Sequence, residues 1–517
     1  MIADALYSIT PLQAISTLGV LYLSSLVYKI INFVRVPSHL AHLPTVPLSR
    51  TIAFLFSGLG YERYWQQCLK PYFEQHSAVL VHSFTEWQIQ FIDAEAARQI
   101  LYQIDDFPKT DFKDSGIEHG FISKVFGISV VTANGQDWKN NRSVAGQAFH
   151  RARPNETIGK VVQHFLDGVE VGKPFLVSAM FRQLTLQVVM RAIFDVQLEK
   201  ESKDNVPLDK LVCNIMGENN KVGYLMAQPL DRAWFRKEAF QMAEDYDARV
   251  MKMIQAKKQQ ILDKRAKGDV EQTDDDDDTE SASKFKGLLE LMVEANMDPD
   301  MATISDEQVV HNCKTLIVAG HDTTSTALSA ITYFLAMHPE VQEKARKEVL
   351  AVLRDRHAIP TISQQKNMPY VGAIIREAQR LVPSTATIMN RKTPCAVTLS
   401  DGTVLPTGTN VAISIYAMNR DPKRWKNPDV FNPDRHLGDD SEGKGHMDYL
   451  TFSAGKRICL GMQLALSELR ITLIMLLANY SWTLPADSPH KEMFSMQHIH
   501  YVLMPKGLEA VFKKLDN

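Results

Sequence analysis

Cysteine is scarce in this 517-residue chain: there are five, Cys68, Cys213, Cys313, Cys395 and Cys459, and the nearest two are 64 residues apart. No CxxC pair exists, so zinc ribbons, dithiol redox sites and a disulfide framework are excluded. An excess of one charge is missing too. Lys plus Arg number 57 against 60 Asp plus Glu, a net charge of −3, which offers nucleic acid no general attraction. No internal repeat is visible. With 45% apolar and 23% charged residues the composition is globular, not disordered, collagen-like or polytopic.

Residues 5–28 hold no charged side chain. As a helix this run would span roughly 36 Å, enough for a bilayer core. Asp4 precedes it, and Lys29 and Arg35 follow, which puts the C-terminal side in the cytosol. A cleaved signal peptide fits poorly, because no basic residue opens the chain and no A-x-A site follows. The expected organisation is an N-terminal transmembrane anchor over 1–36, a hinge over 37–50 stiffened by Pro44 and Pro47, and one body over 51–517.

Alternating β-rich runs at 79–84 and 87–92 predict a hairpin. Runs at 396–399 and 404–413, around Ser400-Asp401-Gly402-Thr403, predict another. Residues 239–267 predict an amphipathic helix with a solvated face, and 460–480 a buried one. The longest helix is predicted over 305–338, capped by Ser305 with Gln308 and stopped by Pro339. At about 50 Å it would cross the whole core. The aspartates at 274–278 read as a solvated loop, without the glycine-turned spacing of a calcium site. The fold class is mainly α with a small β part.

The strongest chemical signal is Phe452-Ser453-Ala454-Gly455-Lys456-Arg457-Ile458-Cys459-Leu460-Gly461. Cys459 precedes a predicted buried helix, whose dipole and free amides favour a thiolate able to ligate iron. Gly455 allows a tight turn, and Gly461 a close approach of backbone to a macrocycle. Phe452 can pack beside the sulfur, and Arg457 can pair with a haem propionate. A lone buried cysteine is common, but F-x-x-G-x-R-x-C-x-G arises by chance in well under about one chain in a thousand.

On this segment the chain resembles the cytochrome P450 family of haem-thiolate monooxygenases, of the microsomal, fungal-like eukaryotic type. The resemblance runs from about residue 40 to the C-terminus. It implies the cytochrome P450 fold, a helical domain around haem b with a small β-sheet region, and makes Cys459 the iron ligand. Glu377-Ala378-Gln379-Arg380 matches the family's E-x-x-R helix. Pro433-Asp434-Arg435-His436 matches its P-E-R-F-like segment, with Asp434 and His436 as departures. By resemblance Glu377, Arg380 and Arg435 form a buried structural cluster, while Trp138, Arg142 and Arg391 bind the propionates. Ala319-Gly320-His321-Asp322-Thr323-Thr324 matches the oxygen-binding kink of the family's central helix. There Gly320 and Thr323 would let the helix open. Thr323 would hold a water or the activated oxygen, and Asp322 would relay protons. His321 occupies a variable position and receives no role.

The resemblance implies insertion of one oxygen atom from O2 into a lipophilic small molecule. Electrons would come from NADPH through cytochrome P450 reductase, with cytochrome b5 as an additional donor. The 58 residues after Cys459 are too few for a fused flavin domain. Lys139 and Lys456, with Lys423 or Arg424, would face the reductase. The expected location is the endoplasmic reticulum membrane, single-pass, with the catalytic domain facing the cytosol. Asn312, Leu316, Ala319 and Thr323 share a helix face, which makes Asn312 the expected polar handle for substrate. Thr387 and Ile388 would add wall above the ring, and 107–126 a lid. A steroid or terpenoid is the favoured substrate. A fatty acid held by Lys109, Lys113 or Lys124 is the runner-up, and a secondary metabolite or xenobiotic stays open. A reductase-independent isomerase or dehydratase and a non-catalytic haem sensor are the other classes. The Asp322-Thr323 pair speaks against both.

Overall fold

The computed structural model describes residues 33–515 apart from 84–85, 111–119, 152–153, 198–205, 220–233, 268–286, 299–303, 439–446, 448 and 500–501, with scattered positions between 16 and 31. The aspartate run at 274–278 and most of the predicted anchor fall outside the described residues.

The first hairpin forms where the alternation places it. Ala78–His82 (β1) pairs antiparallel with Trp87–Phe91 (β2), Ala78 opposite Phe91 and His82 opposite Trp87. Pro174–Leu176 (β3) follows. The run 404–413 departs from expectation, because it makes two strands. After Thr387–Lys392 (β4), Val397–Thr398 (β5) pairs with Val404–Leu405 (β6). Pro406 and Gly408, at φ 78°, then turn the chain, and Asn410–Ser414 (β7) enters a different sheet. Proline has no ladder donor and left-handed glycine bends the backbone, so one continuous strand is not available there. The larger sheet has the order β1-β2-β7-β4, with β7 parallel to β2. Near the C-terminus Tyr480–Thr483 (β8), Met496–Ile499 (β9), Val502–Pro505 (β10) and Glu509–Lys514 (β11) form the sheets β3-β11-β8 and β9-β10.

Helices build the rest. Those that position the site are Phe121–Phe126 (α1), Gly135–Arg151 (α2), Val177–Ala192 (α3), Leu208–Asn219 (α4), Lys237–Ala266 (α5), Asp306–Met337 (α6), Pro369–Leu381 (α7) and Met462–Asn479 (α8). Helix α6 has the predicted capping box. The Gln308 N–H donates to Ser305 Oγ at 3.2 Å, and the Ser305 N–H to Gln308 Oε1 at 3.0 Å. It crosses α3 at close range, since a Cβ on Gly320 would lie 2.8 Å from Val189 Cγ2. Helix α5 buries Ala239, Ala243, Tyr246, Val250 and Ile261, together with Lys257, which pairs with Asp195 at 3.2 Å, and exposes most of its other charges. Among the described residues α8 is the one helix long and apolar enough to cross a membrane, yet most of it is buried in the core. This identifies it as a core element by position.

Candidate active site

The cysteine loop is shaped by two left-handed residues, Ser453 at φ 63° and Gly455 at φ 68°. A Cβ on Gly455 would lie 2.7 Å from the Leu101 carbonyl oxygen, so only glycine fits. A short turn over Gly455–Arg457 then brings the Cys459 N–H to the Phe452 carbonyl at 2.9 Å. Gly461 ends the loop as the N-cap of α8. A Cβ there would meet only Phe149 at 3.8 Å, so packing within the protein does not demand glycine; Gly461 faces the cavity instead.

That cavity measures about 320 Å³, within the usual size of a small-molecule site. Cys459 is exposed, but to the cavity and not to the outside. Burial pushes its thiol up, against the Gly461 N–H and the Arg142 guanidinium, which pull it down. The helix-end amide expected from sequence is present but does not outweigh burial. A metal ion at the sulfur would deprotonate it outright.

Four cations collect at one end of the cavity: Lys109, Arg142, Arg391 and Arg457. Arg142 donates to the Ile458 carbonyl at 2.8 Å, and Arg457 donates to Asn134 at 3.0 Å while lying 4.2 Å over the Trp138 ring. Arg457 Nε and Nη1 and Arg391 Nε have no hydrogen-bond partner. Burial holds Arg391 down at about 10. Burial, then Arg391 and Arg142, hold Arg457 down at about 9. Lys109 is driven well below its ordinary value by burial and by the three arginines. Buried cations with idle donors need anions, and two carboxylates would relieve this end of the cavity. The donor set therefore fits haem: a sulfur at the cavity surface and a cluster of cations for propionates. Lys109 joins that cluster, a place sequence reasoning missed by assigning it to the lid.

Above, α6 lines the cavity with Leu316, Ala319, Gly320, Thr323, Thr324 and Ala327, and β4 with Thr387 and Ile388. The helix runs without a break from Asp306 to Met337, where an opening was expected. Its ladder is nonetheless marked at the motif. Five consecutive carbonyls, from Ala319 to Thr323, each accept a hydroxyl: from Thr323 (2.9 Å), Thr324 (3.2 Å), Thr185 (3.0 Å), Ser325 (2.9 Å) and Ser384 (2.7 Å) respectively. Such bonds compete with the helical ladder and bend it. Asp322 does not line the cavity; its Oδ1 lies 3.4 Å from Arg182 Nε on α3.

Asn312 is a correction. Its Oδ1 accepts from the Val130 N–H at 2.8 Å, and its Nδ2 donates to the Gln308 carbonyl at 2.8 Å and to Asn141. It ties α6 to α2 and does not reach the cavity. Sequence reasoning also missed Glu468 on α8, a fully buried cavity-lining carboxyl that burial pushes well above its ordinary range, so it stays a neutral acid.

Behind the cysteine loop, Glu377 and Arg380 are wholly buried and bonded twice, at 2.8 and 2.9 Å. Arg435 Nε reaches Glu377 Oε1 at 3.0 Å and His436 Nε2 reaches Oε2 at 2.8 Å. Burial alone would raise the Glu377 carboxyl. The bonds from Arg380 and His436 outweigh it and hold the group at about 2. The departure His436 is thus a fourth member of the cluster.

A family model described as Cytochrome P450 matches residues 46–512. Cytochrome P450 4A14 of Rattus norvegicus is 29% identical over 442 residues, covering 80% of this chain and 82% of its own. Cytochrome P450 4X1 of Homo sapiens is 35% identical over 234 residues, 45% of this chain and 44% of its own. A zebra fish cytochrome P450 solved with abiraterone superposes with a TM-score of 0.67 at 17% identity, covering 88% of this chain and 98% of that one, a likeness of fold alone. Cysteine loop, cation cluster, marked central helix and family model agree: the chain belongs to the cytochrome P450 family and is a monooxygenase that binds haem b and uses O2 and NADPH through a redox partner.

Proposed function

We propose that this monooxygenase inserts oxygen into an uncharged lipophilic molecule, a steroid or terpenoid, while anchored to the endoplasmic reticulum by residues 1–36. One observation carries the substrate reading: charge in the cavity is segregated. The four cations sit together, whereas Val130, Val189, Ile193, Leu316, Ala319 and Ile388 form an apolar wall, with hydroxyls from Thr323, Ser384 and Thr387. Such a wall favours an apolar body with a neutral polar group. Among the described residues a fatty acid finds little to hold its head. Lys124 is paired with Asp247 at 2.9 Å, Lys109 donates to the Val131 carbonyl among the arginines, and Lys113 lies outside the described residues. A panel of steroids, terpenoids and fatty acids, scored by the shift from low to high spin, tests this. Steroids or terpenoids should shift the spectrum; a response to carboxylates alone defeats the reading.

Bound haem supplies O2 activation and the oxidation itself. The chain does the rest. Cys459 ligates through Sγ, and Arg142, Arg391, Arg457 and Lys109 hold the propionates. The apolar wall excludes water. Thr323 presents a hydroxyl at the cavity, parked on the Ala319 carbonyl, and Asp322 resupplies its proton. Thr323→Ala should keep haem and substrate binding yet lower product per NADPH on the order of 10-fold, with peroxide making up the difference. Unaltered coupling would contradict this role.

Lys139 and Lys456 are exposed and suit an acidic reductase, whereas Arg424 is engaged by Asp421 and the Ile92 carbonyl. A chain lacking 1–36 should leave membranes on alkaline washing and keep its haem; retention would remove the anchor reading.

A further inference from the structure

We propose that His321 is the positioning residue for Asp322, and that the two side chains hold one proton between them. His321 is fully buried. Its Nδ1 faces the Ile317 carbonyl at 3.0 Å. A carbonyl only accepts, so Nδ1 carries a hydrogen and the tautomer is fixed. Nε2 is left facing Asp322 Oδ1 at 3.3 Å. Neither atom makes a hydrogen bond of good geometry to anything else, and Arg182 Nε, 3.4 Å from the same oxygen, also lacks one.

Two lone pairs facing each other in a buried site bear the full cost of lost hydration. One proton between Nε2 and Oδ1 removes that cost, because whichever atom carries it the other accepts. The surrounding groups do not replace it. Arg182 on α3 is the one charge against the pair among the described residues. Cys213 on α4 faces Arg182 and Asp322, and burial pushes its thiol up to about 11. Tyr246 on α5 is pushed well up by burial and donates its hydroxyl to the Lys314 carbonyl at 3.0 Å. Both stay neutral. The Arg182 side chain is 21% exposed, and Arg182 is not among the residues that line the cavity.

The proton balance is simple. The shared proton passes from Nε2 to the Asp322 carboxylate and on towards Thr323, which leaves the imidazole neutral and the carboxylate charged. The neutral imidazole is then refilled at Nε2 from solvent past Arg182, while the Nδ1 hydrogen stays on Ile317. His321 therefore both aims the carboxylate and reloads it.

The turnover part rests on the monooxygenase reading; the stability part does not. NADPH oxidation by the holoenzyme with reductase, with no organic substrate added, should slow about tenfold in His321→Leu. His321→Gln, which donates an N–H but lends no proton, should recover part of the rate and lose its solvent deuterium sensitivity. In an Asp322→Asn background His321→Leu should slow nothing further. Independently of turnover, His321→Leu should lower the melting temperature of the holoenzyme, since Asp322 Oδ1 loses its buried partner. That loss should vanish with Asp322→Asn. Equal effects of His321→Leu with and without Asp322, in rate or in stability, would overturn the proposal. An inactive wild type with the stability cycle intact would instead count against the monooxygenase reading alone.

Discussion

Cys459→Ala is expected to abolish the long-wavelength Soret band of the reduced carbon monoxide complex and all NADPH-driven turnover. The sulfur is the one thiol at the cavity surface, and no cluster of three or more His, Cys, Asp or Glu side chains able to hold a metal occurs among the described residues. Its side chain faces the cavity, so removing it opens no packed core. The haem-free protein should change in stability by less than about 1 kcal/mol. Loss of the band with an unchanged apoprotein melting curve separates ligation from folding. A variant that keeps the band would show that another group holds iron.

Glu377→Ala should be far more damaging to the fold. It would leave Arg380, Arg435 and His436 with their shared carboxylate gone and the two arginines' charges buried. Breaking a buried ion pair from one side costs about 3–5 kcal/mol, a large part of a typical 5–15 kcal/mol total. The expected result is little soluble holoprotein and a strongly lowered melting temperature. Glu377→Gln, which keeps the shape, should fall in between. The same cluster sets an acid limit. The Glu377 carboxyl is held at about 2 when folded, below the ordinary carboxylate value. Its stabilisation, about 3 kcal/mol by linkage, is therefore present above roughly pH 4.3 and lost as pH falls through 2. In Glu377→Gln, stability should no longer fall over that interval by this amount. Unchanged melting of Glu377→Ala would remove the cluster from the account of the fold.

Much of this was legible because local chemistry decided it. The capping box of α6, the hairpin β1–β2 and the cysteine loop each depend on residues within a few positions of one another. The strand at 404–413 was misread because apolar alternation masked Pro406 and Gly408, which break it. Asn312 was misplaced for a reason of distance. It shares a face with Thr323 but lies three turns away, roughly 16 Å along the helix, where the neighbour is α2 and not the cavity. Lys109, Glu468 and Arg182 acquire their roles only through space, and no periodicity in the sequence announces them. His436 stood out as a departure from its motif, but its partner Glu377 is 59 residues away.

The central claim is that an atom of O2 is inserted into a lipophilic substrate behind the Cys459 ligand. The most direct measurement is turnover of the holoenzyme with reductase and NADPH under ¹⁸O-labelled O2, using the steroid or terpenoid that gives the largest spin shift. The account predicts one labelled oxygen in each hydroxylated product and no product without NADPH. Product that forms without NADPH, or that carries oxygen from water alone, would contradict it.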